Sequence, residues 1–127
     1  MGPEAKLYQK VKRHFKDFSL LRLENLSLLG TPDLLVYNNN SHFFTIELKV
    51  TKSKKVRFSP HQIAFHLRHP TNTFIIVETL GPWSSNTFPI SMYRGSRIRE
   101  LVTQGLKLDA CYLGLEACRL ALAELGA

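Results

Sequence analysis

Residues 30–49 read GTPDLLVYNNNSHFFTIELK, two apolar runs around three asparagines. That is the composition of a β-hairpin closed by a turn-forming loop. The second run alternates. Phe44, Ile46, Leu48 and Val50 fall on one face of a strand, and Phe43, Thr45, Glu47 and Lys49 on the other. With a loop at residues 38–42, antiparallel pairing sets Tyr37 opposite Phe43, Leu35 opposite Thr45 and Asp33 opposite Glu47. Opposed residues share a face, with Cβ atoms about 5 Å apart. Lys49 joins that face two residues further on, so the hairpin carries two carboxylates and an ammonium at one end of a sheet.

Two carboxylates that close repel, which raises a pKa unless a cation lies between them. Mg²⁺ suits such a place, since it takes oxygen ligands and keeps waters and substrate phosphates. A surface ion pair between Lys49 and either acid accounts for the same residues, and pairing geometry alone does not separate the two readings. The wording of the motif does. Pro32-Asp33, followed on the next strand by Glu47-Leu48-Lys49, resembles the PD-(D/E)xK nuclease superfamily. Gly30 and the downstream Ser59-Pro60-His61-Gln62 resemble the virus-type replication-repair (VRR-NUC) nucleases within it, and archaeal-type Holliday junction resolvases share the layout. The resemblance spans residues 4–78.

It implies an α/β fold with a restriction-endonuclease-like αβββαβ core: a central mixed four-stranded sheet flanked by helices. Residues 81–127 would add C-terminal helices to a single domain, 1–127. It also implies that Asp33 and Glu47 hold Mg²⁺, with Mn²⁺ able to substitute, together with the backbone carbonyl of Leu48. Lys49 would hold the attacking water or the scissile phosphate. A glutamate on the first helix of these nucleases reaches the metal, which nominates Glu4; an acid favoured by the helix dipole explains Glu4 as well. Gln62 would orient Lys49 or a phosphate, although a helix cap explains it too.

A chain of 127 residues with 44% apolar content suits one soluble domain. Its net charge of +7 and pI of about 9.7 point to a polyanion, nucleic acid or an anionic membrane surface. Between Lys49 and Val77 lie Lys52, Lys54, Lys55, Arg57 and Arg68 with no acid, a clustering that favours nucleic acid. Arg94, Arg97 and Arg99 form a second basic cluster, either a solvated face or a second DNA contact. The N-terminus has no apolar h-region and no run is long enough to span a membrane, so a cytoplasmic protein is expected. Cys111 and Cys118, seven apart on an expected helix, stand about 10 Å apart along its axis. That is too far for a mutual disulfide and agrees with a reducing compartment.

The remaining elements follow from periodicity. A helix is expected over residues 3–16, with Leu7, Val11 and Phe15 as its apolar stripe. A first strand is expected over 18–26, and a mobile basic connection over 51–58. Ser59 as N-cap, Pro60 at N1 and Gln62 at N3 form a capping box that opens a helix to Arg68. Ile63, Ala64 and Leu67 would face inward, leaving His61, His66 and His69 on the polar side; nothing nearby completes a zinc set. The unbroken Phe-Ile-Ile-Val of residues 74–78 reads as a buried crossover strand. Asn38, Asn39 and Asn40 read as a turn and nothing more, and Trp83, in a loop at 81–89, as packed on the core. An edge strand is expected at 90–94, then a helix from a Ser96 cap to Gln104, stopped by Gly105. A last helix over 109–125 carries a core stripe of Leu108, Cys111, Leu115, Cys118, Leu122 and Leu125. Its other side, with Leu113, Ala117, Leu120 and Ala121, is apolar too, which suggests a homodimer contact.

The function expected is a metal-dependent DNA endonuclease of the junction-resolving kind, its two-fold dimer matched to paired incisions. A phage source fits the virus-type resemblance. Two other readings stay open: a site-specific duplex endonuclease of the homing or restriction kind, and a nucleic-acid-binding protein that keeps the fold without cutting.

Overall fold

The computed structural model describes residues 2–23, 30–81 and 89–127. Its elements run α1 (Pro3–His14), β1 (Ser19–Arg22), β2 (Leu34–Tyr37), β3 (Phe43–Thr51), α2 (Pro60–Arg68), β4 (Thr73–Thr79), β5 (Ile90–Arg94), α3 (Ile98–Gln104), β6 (Tyr112–Leu113) and α4 (Leu115–Ala123). From α1 to β4 this is the expected αβββαβ order. Among the described residues the strands form one six-stranded sheet in sequence order. β3 and β4 are parallel and every other neighbouring pair is antiparallel. The hairpin register is the one read from the alternation, Tyr37 opposite Phe43 and Leu35 opposite Thr45.

Both faces of the β3–β4 centre are covered. On one side Leu7 and Val11 of α1, with Phe15 just after it, pack against Phe44, Ile46, Leu48 and Ile76. On the other, Val56, Ile75, Val77, Tyr93, Ile98 and Leu101 form a second core, with Ile63 of α2 against it. Each fully buried Leu, Ile or Phe contributes about 1.5–3 kcal/mol relative to exposure, so the first core anchors β3 directly and the second holds its neighbour β4.

Several expectations need correction. Beyond the four strands of the expected core, β5 and β6 extend the sheet to six among the described residues, and β5 is not an edge, because Ser91 and Met92 pair with Leu113 and Tyr112. Residues 109–114 do not continue into the last helix. Gly114 (φ 85°) adopts a conformation that only glycine takes without cost, and α4 starts after it. The apparent stripe belonged to two surfaces, since Leu108 packs in the second core and Cys118 and Leu122 in the first. Ser96 makes no side-chain cap; a 3₁₀ turn at Gly95–Arg97 leads into α3, which Gly105 (φ 60°) ends as expected. On α2 Ile63 packs inward as expected, but the fully buried residue is His66, and Leu67 is 39% exposed. α1 stops at His14 and β1 at Arg22, short of their expected ends. The far end of the 18–26 strand and Trp83 fall outside the described residues.

The asparagine turn is more than a turn. Asn38 is buried and donates from Nδ2 to the carbonyls of Leu122 and Leu125, each at 2.9 Å. Its Oδ1 accepts from the N–H groups of Asn40 (3.0 Å) and His42 (3.1 Å). Asn40 Nδ2 adds bonds to the carbonyls of Ala123 (2.9 Å) and Leu125 (3.1 Å). Carbonyls at a helix C-terminus lack intrahelical partners, so this turn caps α4 and clamps it to the core. Arg119 fastens the other side of α4, bridging Glu116 and Asp17. Both cysteines are free. No helix among the described residues is long and apolar enough to cross a membrane.

Candidate active site

The site forms where β2 stops and β3 continues. The ladder ends at Leu34 opposite Ile46, one residue short of Asp33. Asp33 still accepts the Leu23 N–H at its carbonyl, at 2.8 Å, but it is free of the β3 ladder, and its carboxylate turns onto β3, where Oδ2 accepts the Leu48 N–H at 2.7 Å. The N–H and C=O of a strand residue point to the same neighbour, so the Leu48 carbonyl faces the Asp33 side as well.

Glu47 is 2% exposed, and its pKa is raised to about 9. Burial is the main cause, followed by the charge of Asp33 and close carboxyl–carboxyl contact with it; Lys49 opposes the shift. Glu47 Oε2 accepts from Gln62 Nε2 at 3.2 Å. Its Oε1 is buried with no hydrogen-bond partner among the described residues. The contact with Asp33 can act as a bond only while the two carboxyls share a proton, and it is lost once both are ionised.

Gln62 is the pivot. Its Oε1 accepts from Lys49 Nζ at 3.0 Å and from the Ser59 N–H at 2.9 Å, while Ser59 Oγ accepts the Gln62 N–H at 3.1 Å. The capping box is therefore present, and the same amide also joins Lys49 to Glu47. The helix cap and the site use one side chain. Lys49 Nζ lies 5.0 Å from the centroid of the Phe58 ring, a cation–π contact that further restrains it. Phe58 was not singled out from the sequence; its one signal is an aromatic immediately before the helix cap.

Glu4 and Lys49 open onto a cleft of about 320 Å³ whose wall includes Lys52, Lys55 and Arg57. The Glu4 carboxyl is raised by partial desolvation, with Lys49 acting against this and Asp33 with it, so Glu4 belongs to the same electrostatic cluster. The basic connection is held in place. Val56 is buried beneath it, Thr51 Oγ1 donates to the Lys55 carbonyl at 2.8 Å, and the Leu106 N–H donates to the Lys54 carbonyl at 2.8 Å. The Lys54 side chain is exposed but does not line the cleft. Arg68 sits at the opposite end of the nine-residue α2 from Gln62, and Arg97 is ion-paired with Glu100, so neither joins the cleft wall. His66 is the buried member of the histidine set. Neither ring nitrogen has a hydrogen-bond partner among the described residues, and its pKa is lowered to about 4 by burial, then by His69 and Lys49.

No group of three or more His, Cys, Asp or Glu side chains among the described residues could hold a metal ion. Two carboxylates and a main-chain carbonyl are nevertheless all oxygen donors. An orphaned, buried Glu47 Oε1 beside Asp33 fits a hard divalent cation that completes its shell with water and phosphate.

No family model matches this chain, and no curated protein matches it. Among solved structures it is similar to Hjc, a Holliday junction resolvase from the archaeal hyperthermophile Archaeoglobus fulgidus. The TM-score is 0.45 and the identity 17%, over 72% of each chain.

Proposed function

We propose that this protein is a divalent-metal-dependent DNA endonuclease of the PD-(D/E)xK kind that acts on branched DNA. One observation carries the reading: a buried Glu47 faces Asp33 with an oxygen left unbonded, while Lys49 bonds to the Gln62 amide rather than to either acid. A structural ion pair would satisfy the carboxylates with the lysine. A site kept for a cation leaves them as they are.

In this reading Asp33, Glu47 and the Leu48 carbonyl would hold Mg²⁺ or Mn²⁺, and Glu4, at the mouth of the cleft, would act on that site through its charge. The ion, when bound, lowers the pKa of a water and neutralises charge that builds on the phosphate oxygens. Glu47 would hold the ion as a carboxylate, the form that the neighbouring Lys49 ammonium favours. Gln62 holds Lys49 Nζ at the place where the attacking water or the scissile phosphate is oriented. Lys52, Lys55 and Arg57 take the flanking phosphates along the cleft, and Lys54, Arg68 and Arg97 make outer contacts. A homodimer through the exposed Leu113 and Leu120 would supply two such sites for paired incision.

The test is a cleavage panel: labelled four-way junction, flap, plain duplex and single strand, each with Mg²⁺, Mn²⁺ or EDTA. Metal-dependent cutting of junction or flap ahead of plain duplex is expected. Sequence-specific cutting of plain duplex would replace this reading with the homing or restriction kind, and binding without cutting under any metal would make it a non-catalytic relative.

A further inference from the structure

The sheet face that carries Glu47 and Lys49 continues away from the cleft across the β1–β2–β3 end. The register aligns Ser19, Tyr37 and Phe43 in one row across this face and Leu21, Leu35 and Thr45 in the next, with Asp33 and Glu47 beyond. The second core covers this face only over β4 and β5. At the β1–β3 end Leu21 is 58% exposed and Phe43 56%, although Val36 and Phe44 on the other face are buried. Tyr37 and Phe43 lie against each other, with ring centroids 4.0 Å apart and planes at 38°. Phe43 precedes Glu47 by four residues on the same face, about 13 Å along the strand. That is about four stacked nucleotides at 3.4 Å each, and fewer in a stretched strand.

We infer that the Tyr37–Phe43 face, with Leu21 beside it, is a stacking platform for unpaired bases of the strand that enters the site, so that the substrate carries single-stranded nucleotides next to the scissile phosphate. This rests on the nuclease reading and narrows its substrate. Every base has an apolar π-face, so an exposed aromatic on a rigid sheet binds single strands with little regard to sequence, and its loss weakens binding roughly 5- to 150-fold. A second copy of this chain is a poorer occupant. The same face runs into the basic cleft of a chain with net charge +7, so two copies meeting there would repel, whereas a nucleic acid satisfies the charge and the apolar patch at once. The patch is also small. An aromatic side chain covers about 150–250 Å², against about 800 Å² per partner in a stable protein interface.

The experiment measures binding in EDTA, where no cutting is needed, with wild type, Phe43→Ala and Phe43→Leu. The probes are a single-stranded oligonucleotide, a fork with 2-aminopurine in its unpaired arm, and a blunt duplex. Phe43→Ala should weaken single-strand and fork binding about 10-fold, abolish the 2-aminopurine quench and leave duplex binding within two-fold. Phe43→Leu keeps the apolar bulk and should still lose the quench, which answers the case in which the alanine variant folds poorly. Unchanged single-strand affinity and quench in both variants would overturn the platform. So would a wild-type dimer that sediments as a monomer once Phe43 is replaced, since the face would then belong to a second copy. A protein that stacks bases but never cuts would fail the nuclease reading alone, and one that cuts normally with Phe43→Ala and shows no stacking would fail this inference alone.

Discussion

Gly30 lies on the backbone of His61 with no room for a side chain: a Cβ built on it would stand 2.2 Å from the His61 carbonyl oxygen and 2.8 Å from the Gln62 nitrogen. Its φ of 79° also belongs to the left-handed region. The turn leading into Asp33 therefore rests on the first turn of α2, which carries Gln62. Two segments that bear the site touch through a residue chosen for having nothing between them.

Gly30→Ala should push α2 off this turn and move Gln62 away from Lys49 and Glu47. A displacement of about 1 Å at such a site costs on the order of 10²-fold in rate. Steady-state cleavage beside a thermal melt checks it: the rate should fall by that order while a cooperative transition remains. Wild-type rates would show that the close approach is without consequence for the site.

Asp33→Asn, Glu47→Gln and Lys49→Ala should each abolish cutting and leave DNA affinity within a few-fold, because metal and water chemistry is separate from the phosphate contacts that dominate affinity. Cleavage assays and binding titrations on the same preparations decide. Any variant with full activity removes its residue from the mechanism.

Neutralising Lys52, Lys54, Lys55 and Arg57 together should weaken binding to every DNA tested. The slope of log affinity against log salt should flatten by about 0.9 for each phosphate that the variant no longer neutralises. An unchanged slope would make the cleft wall a solvated surface.

His66 gives a pH dependence whose sign follows from its burial. Its folded pKa, about 4, lies below the ordinary 6.5, so the unfolded chain binds a proton that the folded one refuses. Its contribution to stability is complete above pH 6.5 and is lost as the pH falls through the window down to about 4, at most about 1.4 kcal/mol per pH unit. His66→Leu should reduce the drop in melting temperature between pH 7.5 and pH 5. An equally steep drop in the variant would assign the acid sensitivity to other groups.

Leu113 and Leu120 are 52% and 54% exposed on β6 and α4. Leu113→Glu with Leu120→Glu should turn a wild-type dimer into a folded monomer. Sedimentation and melting of both proteins check it, and a wild type that sediments as a monomer at micromolar concentration ends the dimer proposal.

What the sequence by itself determined is whatever depends on near neighbours. The two-residue alternation of 43–50 set the faces and register of β3, and the capping box placed the start of α2. The order Pro32-Asp33, Glu47, Lys49 put three charged groups at one sheet end. Such signals are local because backbone geometry repeats over two to four residues. The tertiary structure alone decided the rest. Asn38 reads as a turn residue until α4, 84 residues later, presents a carbonyl to it. Gln62 reads as a cap until β3 brings Glu47 and Lys49 to either end of its amide. The stripe over 108–125 looked like one helix because apolar spacing does not record which of two cores each residue enters. His66 is buried and Phe43 exposed against the usual preference of both, since burial is fixed by what packs on a face, and that is chosen by distant parts of the chain.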